Sequence, residues 1–220
     1  MSVYEKAIAC SKEVIDLFQV TGELVPHTGA SSFPWEDYSY TSKWYRRAHI
    51  SIVDARETNK LWFMHVCVFP HINDNSPIFG FDIIAGPSRV SGAFLDLSNA
   101  GDPSHPIMQS FDKRVTSMDW KKERNLPDWA KSIFSPAMVA LGSVDETELD
   151  KFITLGLTTL HFYIAEVGNT VEIGADFTEA QNFYCRQQKL NPHTPRIIAS
   201  MIGNKKAEKF SNEILFPEIE

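Results

Sequence analysis

The run from residue 46 to residue 97, RRAHISIVDARETNKLWFMHVCVFPHINDNSPIFGFDIIAGPSRVSGAFLDL, decides the fold. Four short stretches in it, 46–53, 61–69, 78–85 and 89–97, are rich in β-branched and aromatic residues. Turn-formers separate them at 54–60, 70–77 and Gly86-Pro87-Ser88. None of these connections is long enough for a crossover helix, so the strands are expected to form an antiparallel meander.

Outward from this centre the pattern becomes helical. Residues 4–18 place Tyr4, Ala7, Ile8, Val14, Ile15 and Phe18 on one helical face. A Pro/Gly/Ser-bearing stretch follows at 21–34, then an aromatic segment with Trp35, Tyr38, Tyr40, Trp44 and Tyr45. Beyond Leu97 the chain is polar and proline-bearing up to Pro106, and a short helix is expected over 107–115. Residues 126–142, with Pro127 and Pro136, suit no single element. Ser143-x-x-Glu146 reads as a capping box. It opens a helix with Leu149, Phe152, Ile153, Gly156, Leu160, Tyr163 and Ile164 on one side. Thr178-x-x-Gln181 reads as the cap of another helix, to about 190, and a last helix is expected from about 196 to 214. The order helix, strands, helices implies a single domain over 1–220, an antiparallel sheet with helices on both faces.

Composition narrows the function classes. Of 220 residues, 43% are apolar, enough for a substantial core, so disorder is excluded. The net charge of −7 argues against nucleic-acid and membrane-surface binding, which favour a basic balance. No stretch approaches the ~20 apolar residues of a membrane span. The three cysteines, Cys10, Cys67 and Cys185, are odd in number and lack C-x-x-C spacing. That argues against a disulfide framework and a structural zinc site. Charges interrupt every apolar run at the N-terminus, so a signal peptide is not expected there. The expectation is a reducing, cytoplasmic compartment. No histidine pair has metal-ligand spacing, and neither a phosphate-binding glycine loop nor a Rossmann unit is present.

The polar residues inside the strands carry the chemistry. Alternation puts His49, Ser51, His65, Asp82 and Ser91 on one face. A hairpin centred on Thr58 sets Ser51 opposite His65. One centred between Asn73 and Asp74 sets His65 opposite Asp82, and one between Gly86 and Pro87 sets Asp82 opposite Ser91. A bulge would shift any of these registers. Asp82, in FGFDIIAG, has only apolar or glycine neighbours. Burying its ionised form there is costly, so its pKa is expected to rise unless a protonated His65 pairs with it. A carboxyl of that kind beside a histidine is a proton donor near neutral pH. A buried structural Asp–His hydrogen bond meets the same description. His71 and His105 flank prolines in loops, and His161 lies on a helix; none of these stands out as functional.

The stretches RRAHISI, LWFMHVCVFP and SPIFGFDIIAGPSRVSGAFLDLS resemble the core of the ferredoxin-dependent bilin reductases, above all the phycocyanobilin:ferredoxin oxidoreductase branch. The similarity continues through ERNLPDW at 123–129, QQKLNPHTPR at 187–196 and the ILF at 214–216. The resemblance implies a three-layer α/β/α sandwich with bilin between the sheet and the C-terminal helices. It implies biliverdin IXα as substrate, no bound metal or flavin, and single electrons from a reduced [2Fe-2S] ferredoxin. Asp82 then matches the central aspartate that protonates or hydrogen-bonds the bilin, His65 its histidine partner, and His49 a second buried histidine. Asn191 sits where the family has a pyrrole-facing Asn or Asp. Ser91 and Arg124 match groups that hold the propionates, and His193, in the same stretch as Asn191, is assigned to substrate binding. Members that make phycocyanobilin carry a glutamate two residues after the first histidine, where this chain has Ser51. The departure implies an intact D-ring vinyl group and phycoerythrobilin as product, as in the phage-type offshoot. A bilin carrier without turnover is the rival reading, but it has no use for both Asp82 and His65. Ferredoxins are acidic, so docking on this acidic chain needs a local basic cluster, with Lys43, Arg46, Arg186, Lys189, Lys205 and Lys206 as candidates. The protein is expected to act as a monomer.

Overall fold

In the computed structural model, residues 1–26 and 33–220 are described; the middle of the turn-rich stretch 21–34 lies outside them. Helix α1 (Val3–Thr21) leads into a sheet of seven strands: β1 (Glu23–Leu24), β2 (Glu36–Thr41), β3 (Tyr45–Ala55), β4 (Leu61–Pro70), β5 (Ile78–Ala85), β6 (Val90–Ser98) and β7 (Val139–Leu141). The strands pair in chain order, every neighbour antiparallel, so the meander extends beyond the four strands expected. Helices α2 (Pro106–Thr116) and α3 (Asp128–Lys131) lie between β6 and β7. After β7 come α4 (Glu146–Glu166), α5 (Thr178–Gln188), α6 (His193–Ile202), α7 (Asn204–Phe210) and a π-helical turn, Ser211–Leu215.

The period of two divides the sheet into two unlike faces. Ile50, Met64, Val66, Phe81, Ile83 and Leu95 point into one core with the apolar sides of α1, α2 and α4. Cys67, Phe69 and Ile78 point the other way and pack with Tyr184 and Cys185 of α5, Ile198 of α6, Phe210 of α7 and Leu215. The result is the three-layer α/β/α sandwich. His49, Ser51, His65, Asp82 and Asp96 share parity with the second set and face α5–α7.

Two of the three expected registers are present: Ser51 opposite His65, and His65 opposite Asp82. The third is not, since Asp82 lies opposite Phe94. The turn takes Pro87 and Ser88 as its central residues, with Gly86 N–H donating to Arg89 C=O at 2.9 Å. The fixed φ of proline suits the first central position of such a turn. The register then shifts between Ile84 and Ala85, and Ser91 leaves the polar row.

The helix ends also differ from expectation. Ser143 has φ +60°, a left-handed conformation, and the cap of α4 is Asp145, whose carboxylate accepts from Glu148 N–H at 2.9 Å. Thr178 is the first residue of α5 rather than its cap, and Asp176 accepts its N–H. The last helix is broken at Gly203, whose φ of +82° no helix accommodates.

Two close approaches hold the layers together. At Gly156 of α4, an added Cβ would stand 2.4 Å from the ring of Phe81, which packs against Phe152. On the other face, the fully buried Asp96 accepts from Ser98 Oγ at 2.6 Å, Ser135 N–H at 3.1 Å and Ser135 Oγ, tying the segment before β7 to the sheet. Burial outweighs those donors and pushes its carboxyl up to about 6.

Gly156→Ala is expected to lower stability. Helix propensity favours alanine by about 1 kcal/mol, but overpacking a core costs about 1–3 kcal/mol. The thermal midpoint should fall by about 2–4 °C per kcal/mol lost, and Phe81→Leu in the same chain should recover part of it. For Asp96, the raised folded-state pKa means that the native state holds more protons than the unfolded chain between about 4 and 6. Its contribution is complete below that window and disappears as pH rises through it. The stability difference between wild type and Asp96→Asn, from urea unfolding, should therefore shrink by up to about 3 kcal/mol between pH 4 and 6.5.

Candidate active site

Opposed positions on neighbouring strands bring His65 and Asp82 together. His65 Nδ1 and Asp82 Oδ1 are 2.8 Å apart. The histidine is 6% exposed, while the Asp82 side chain keeps 30% exposure. The carboxyl therefore opens into a space rather than lying sealed among apolar neighbours: Phe81 and Ile83 point to the opposite face. The ring of His65 stands edge-on to Phe216 at 5.7 Å and near Phe63 at 6.3 Å. Its Nε2 is buried with no hydrogen-bond partner among the described residues.

The space is a cavity between sheet and helices of about 240 Å³, or about 1200 Å³ with its solvent-open mouth included. The sheet supplies Phe63, His65, Asp82, Ile84 and Phe94 to its wall, and Trp129, Phe134, Ile197 and Phe216 close it. An apolar lining with a few polar groups converging on it is the usual make-up of a small-molecule site.

Asn191 and His193 meet at the same cavity. Asn191 Oδ1 accepts from His193 N–H at 3.0 Å, and its Nδ2 donates to Thr194 Oγ1 at 3.1 Å, so the side chain shapes the start of α6. Arg124 lines the cavity, lies over the Phe94 ring at 5.6 Å and donates to the Ser91 carbonyl. Ser91 is away from the polar row; its hydroxyl donates to Ile84 C=O at 3.2 Å. It belongs to an adjoining surface cleft with Arg89, Lys122 and Arg124, which make no ion pair among the described residues. Ser91 and Arg124 thus meet, but through a backbone carbonyl at the rim.

His49 and Ser51 lie one strand over on the same sheet face, fully buried, and neither lines the cavity. Their neighbour is Asp37 of β2, paired with Ser51 and itself buried. Asp37 Oδ1 stands 2.9 Å from His49 Nε2 and accepts a short hydrogen bond from Ser51 Oγ. Burial pushes the His49 imidazole down to about 3, against the opposing pull of the Asp37 carboxylate, so it is neutral at physiological pH. The rings of His49 and His65 are 5.8 Å apart and tilted by 54°.

The sequence reading missed Asp37 because it assigned no strand to the aromatic segment, although alternation in EDYSYT was there to be read. It also missed Asp96 and Tyr184, both on the cavity wall. Asp96 had the same signal as Asp82, a carboxylate in an apolar strand. Tyr184 is buried, its hydroxyl accepts from Gln188 Nε2 at 2.7 Å, and burial drives its pKa well above the ordinary value. The six docking candidates do not form one free cluster. Arg46 is largely buried and donates to Gln181 Oε1 at 2.7 Å. Arg186 pairs with Glu179 and Glu218, and Lys189 with Glu218 at 2.7 Å. Lys43 lies over the Trp44 ring, and Lys205 and Lys206 are exposed on α7.

Comparison with known proteins agrees with this architecture. The family model described as ferredoxin-dependent bilin reductase matches residues 13–217. A phycocyanobilin:ferredoxin oxidoreductase of Gloeobacter violaceus is 31% identical over 186 residues, spanning 80% of this chain and 71% of the relative. One from Synechococcus sp. strain CC9605 is 29% identical over 182 residues, spanning 78% and 71%. The solved structure of PcyX aligns over 97% of this chain and 99% of its own, with a TM-score of 0.73 and 27% identity. Phytochromobilin synthase from tomato, solved in complex with biliverdin, shares the fold at a TM-score of 0.63 and 15% identity, over 97% and 82% of the two chains. With nearly its whole length matched, and with the sandwich and central strand pair in place, the chain belongs to the ferredoxin-dependent bilin reductase family and is an oxidoreductase.

Proposed function

We propose that the protein reduces biliverdin IXα by four electrons to phycoerythrobilin through 15,16-dihydrobiliverdin. The electrons come singly from a reduced [2Fe-2S] ferredoxin. The observation that carries this reading is the Asp82–His65 pair on the wall of an otherwise apolar cavity. Each two-electron step adds two protons to the bilin, and the wall must supply them while excluding bulk water. Asp82 is the cavity-facing donor. His65, held at Nδ1 by the carboxylate, re-supplies it. Asn191 and His193 bound the cavity and are assigned as partners for pyrrole N–H and lactam groups. Arg124, with Arg89 and Lys122 beside it, supplies positive charge at the rim for the propionates, as guanidinium binds carboxylate in forked geometry. The mechanism passes through bilin radicals, and the enzyme works as a monomer in the cytoplasm, in keeping with three free, buried cysteines.

The choice of product rests on position 51. Position 51 is paired with His65 across β3 and β4; serine there cannot act as an acid at neutral pH. Protonation then depends on Asp82 and His65, and the exocyclic D-ring vinyl group stays intact.

Anaerobic incubation with biliverdin, ferredoxin and a reducing system tests both levels. The product should co-elute with phycoerythrobilin, and added 15,16-dihydrobiliverdin should be consumed to the same compound. Phycocyanobilin as the main product overturns the assignment of Ser51, and a coloured complex without spectral progress supports a carrier. Asp82→Asn should still bind biliverdin, with turnover lowered by about 10²-fold or more, the usual share of a general acid. A normal rate in that variant would remove Asp82 as the essential donor.

A further inference from the structure

The polar row does not end at His49. It continues onto β2, a strand the reaction has not so far been asked to use. Asp37 is the cross-strand partner of Ser51, is as deeply buried as its neighbours, and gives a single oxygen to both His49 and Ser51. An ionised carboxylate only accepts hydrogen bonds, so with Asp37 ionised the proton of a neutral His49 belongs on Nε2. That leaves Nδ1 as the acceptor nitrogen of a ring 5.8 Å from His65. His65 in turn contacts Asp82 at 2.8 Å.

Resting on the reading of this site as a biliverdin reductase, we propose that Asp37 is a positioning residue for the reaction. From the neighbouring strand it supplies the buried carboxylate that position 51 lacks, and it holds His49 as the Nε2–H tautomer. Asp37 and Ser51 do not line the cavity, so the carboxylate acts on His49 and through it on His65. It does not touch the bilin. A carboxylate seated away from the cavity orders the proton donors without becoming one. Arg47 is a cationic neighbour of this group, turned toward the Ile214 and Leu215 carbonyls.

The test has a part that needs no turnover. In the ligand-free wild type, the imidazole ¹⁵N resonances of His49 should report one neutral Nε2–H tautomer between pH 6 and 8. A Nδ1–H tautomer or an imidazolium overturns the proposal, whether or not biliverdin is reduced. Asp37→Asn keeps the size of the side chain but removes the charge and adds a competing N–H donor. It should give mixed tautomers and lower kcat at least about tenfold, while KM for biliverdin stays within about twofold. Asp37→Asn combined with Ser51→Glu puts a carboxylate beside His49 from β3 instead and should recover the single tautomer and part of kcat. Wild-type kcat in Asp37→Asn, or a raised KM with kcat unchanged, overturns the proposal. If Asp37→Asn does not fold, the wild-type tautomer alone decides. A wild type that binds biliverdin without reducing it overturns the functional reading instead, and leaves the tautomer result to stand separately.

Discussion

The site depends on the register between β4 and β5. His65 faces Asp82 because Val66 faces Phe81 and Met64 faces Ile83, and these four are completely buried against α1 and α4. A slip of one residue would send the polar pair into that core and the apolar side chains into the cavity. Burying a large apolar side chain contributes about 1.5–3 kcal/mol, whereas a single hydrogen bond contributes about 1 kcal/mol net. The apolar face therefore outweighs the polar contact several times over. The polar pair is held in place by residues on the far side of the sheet.

The same balance explains what could be read before the structure was known. The strands β3 to β6 alternate cleanly and are separated by proline and glycine, so their order, the identity of the polar face and two of three registers followed from counting. The third failed at the Pro87-Ser88 turn and the Ser91 bulge, where one extra residue changes every downstream partner and leaves no mark in hydrophobicity. Strands β2 and β7 were hidden for another reason. Strand β7 is three residues long beside a neighbour whose own pattern is strong, so tertiary pairing makes it a strand, while the alternation of β2 spans only six residues of an aromatic segment. Asp82, His65, Asn191, His193 and Arg124 do surround one cavity. His49 and Ser51 share the parity of that group but are buried away from the cavity one strand over, and strand parity alone cannot distinguish a lining residue from a covered one.

Charge was the least legible property. The net −7 is a sum, and local arrangement separates basic residues already paired from those that face solvent. Arg186 and Lys189, close in sequence, are both engaged by Glu218 near the C-terminus, 29 to 32 positions away. Arg89, Lys122 and Arg124 are spread over 35 positions, yet the β5–β6 turn and the approach to β7 gather them at one rim. An acidic chain thus carries a basic edge beside its cavity, built by topology rather than by a run of like charges.

Position 37 and position 51 show why a residue type cannot be separated from its place. Both are on the same face and are paired across β2 and β3, so a carboxylate on either lies near His49. Their chemical consequences differ because β3 is one strand closer to the cavity. On the proposed reading, an acid on β3 would stand one strand nearer His65, whereas Asp37 acts through His49 and the 5.8 Å gap to His65. Moving the charge outward by one strand, about 5 Å, keeps a carboxylate beside His49 while setting it farther from the cavity. The row His49–His65–Asp82 can then keep its charge balance while the number of acids at the cavity surface changes. On the proposed reading, that number rather than the presence of a buried carboxylate would set which double bonds of the substrate are protonated.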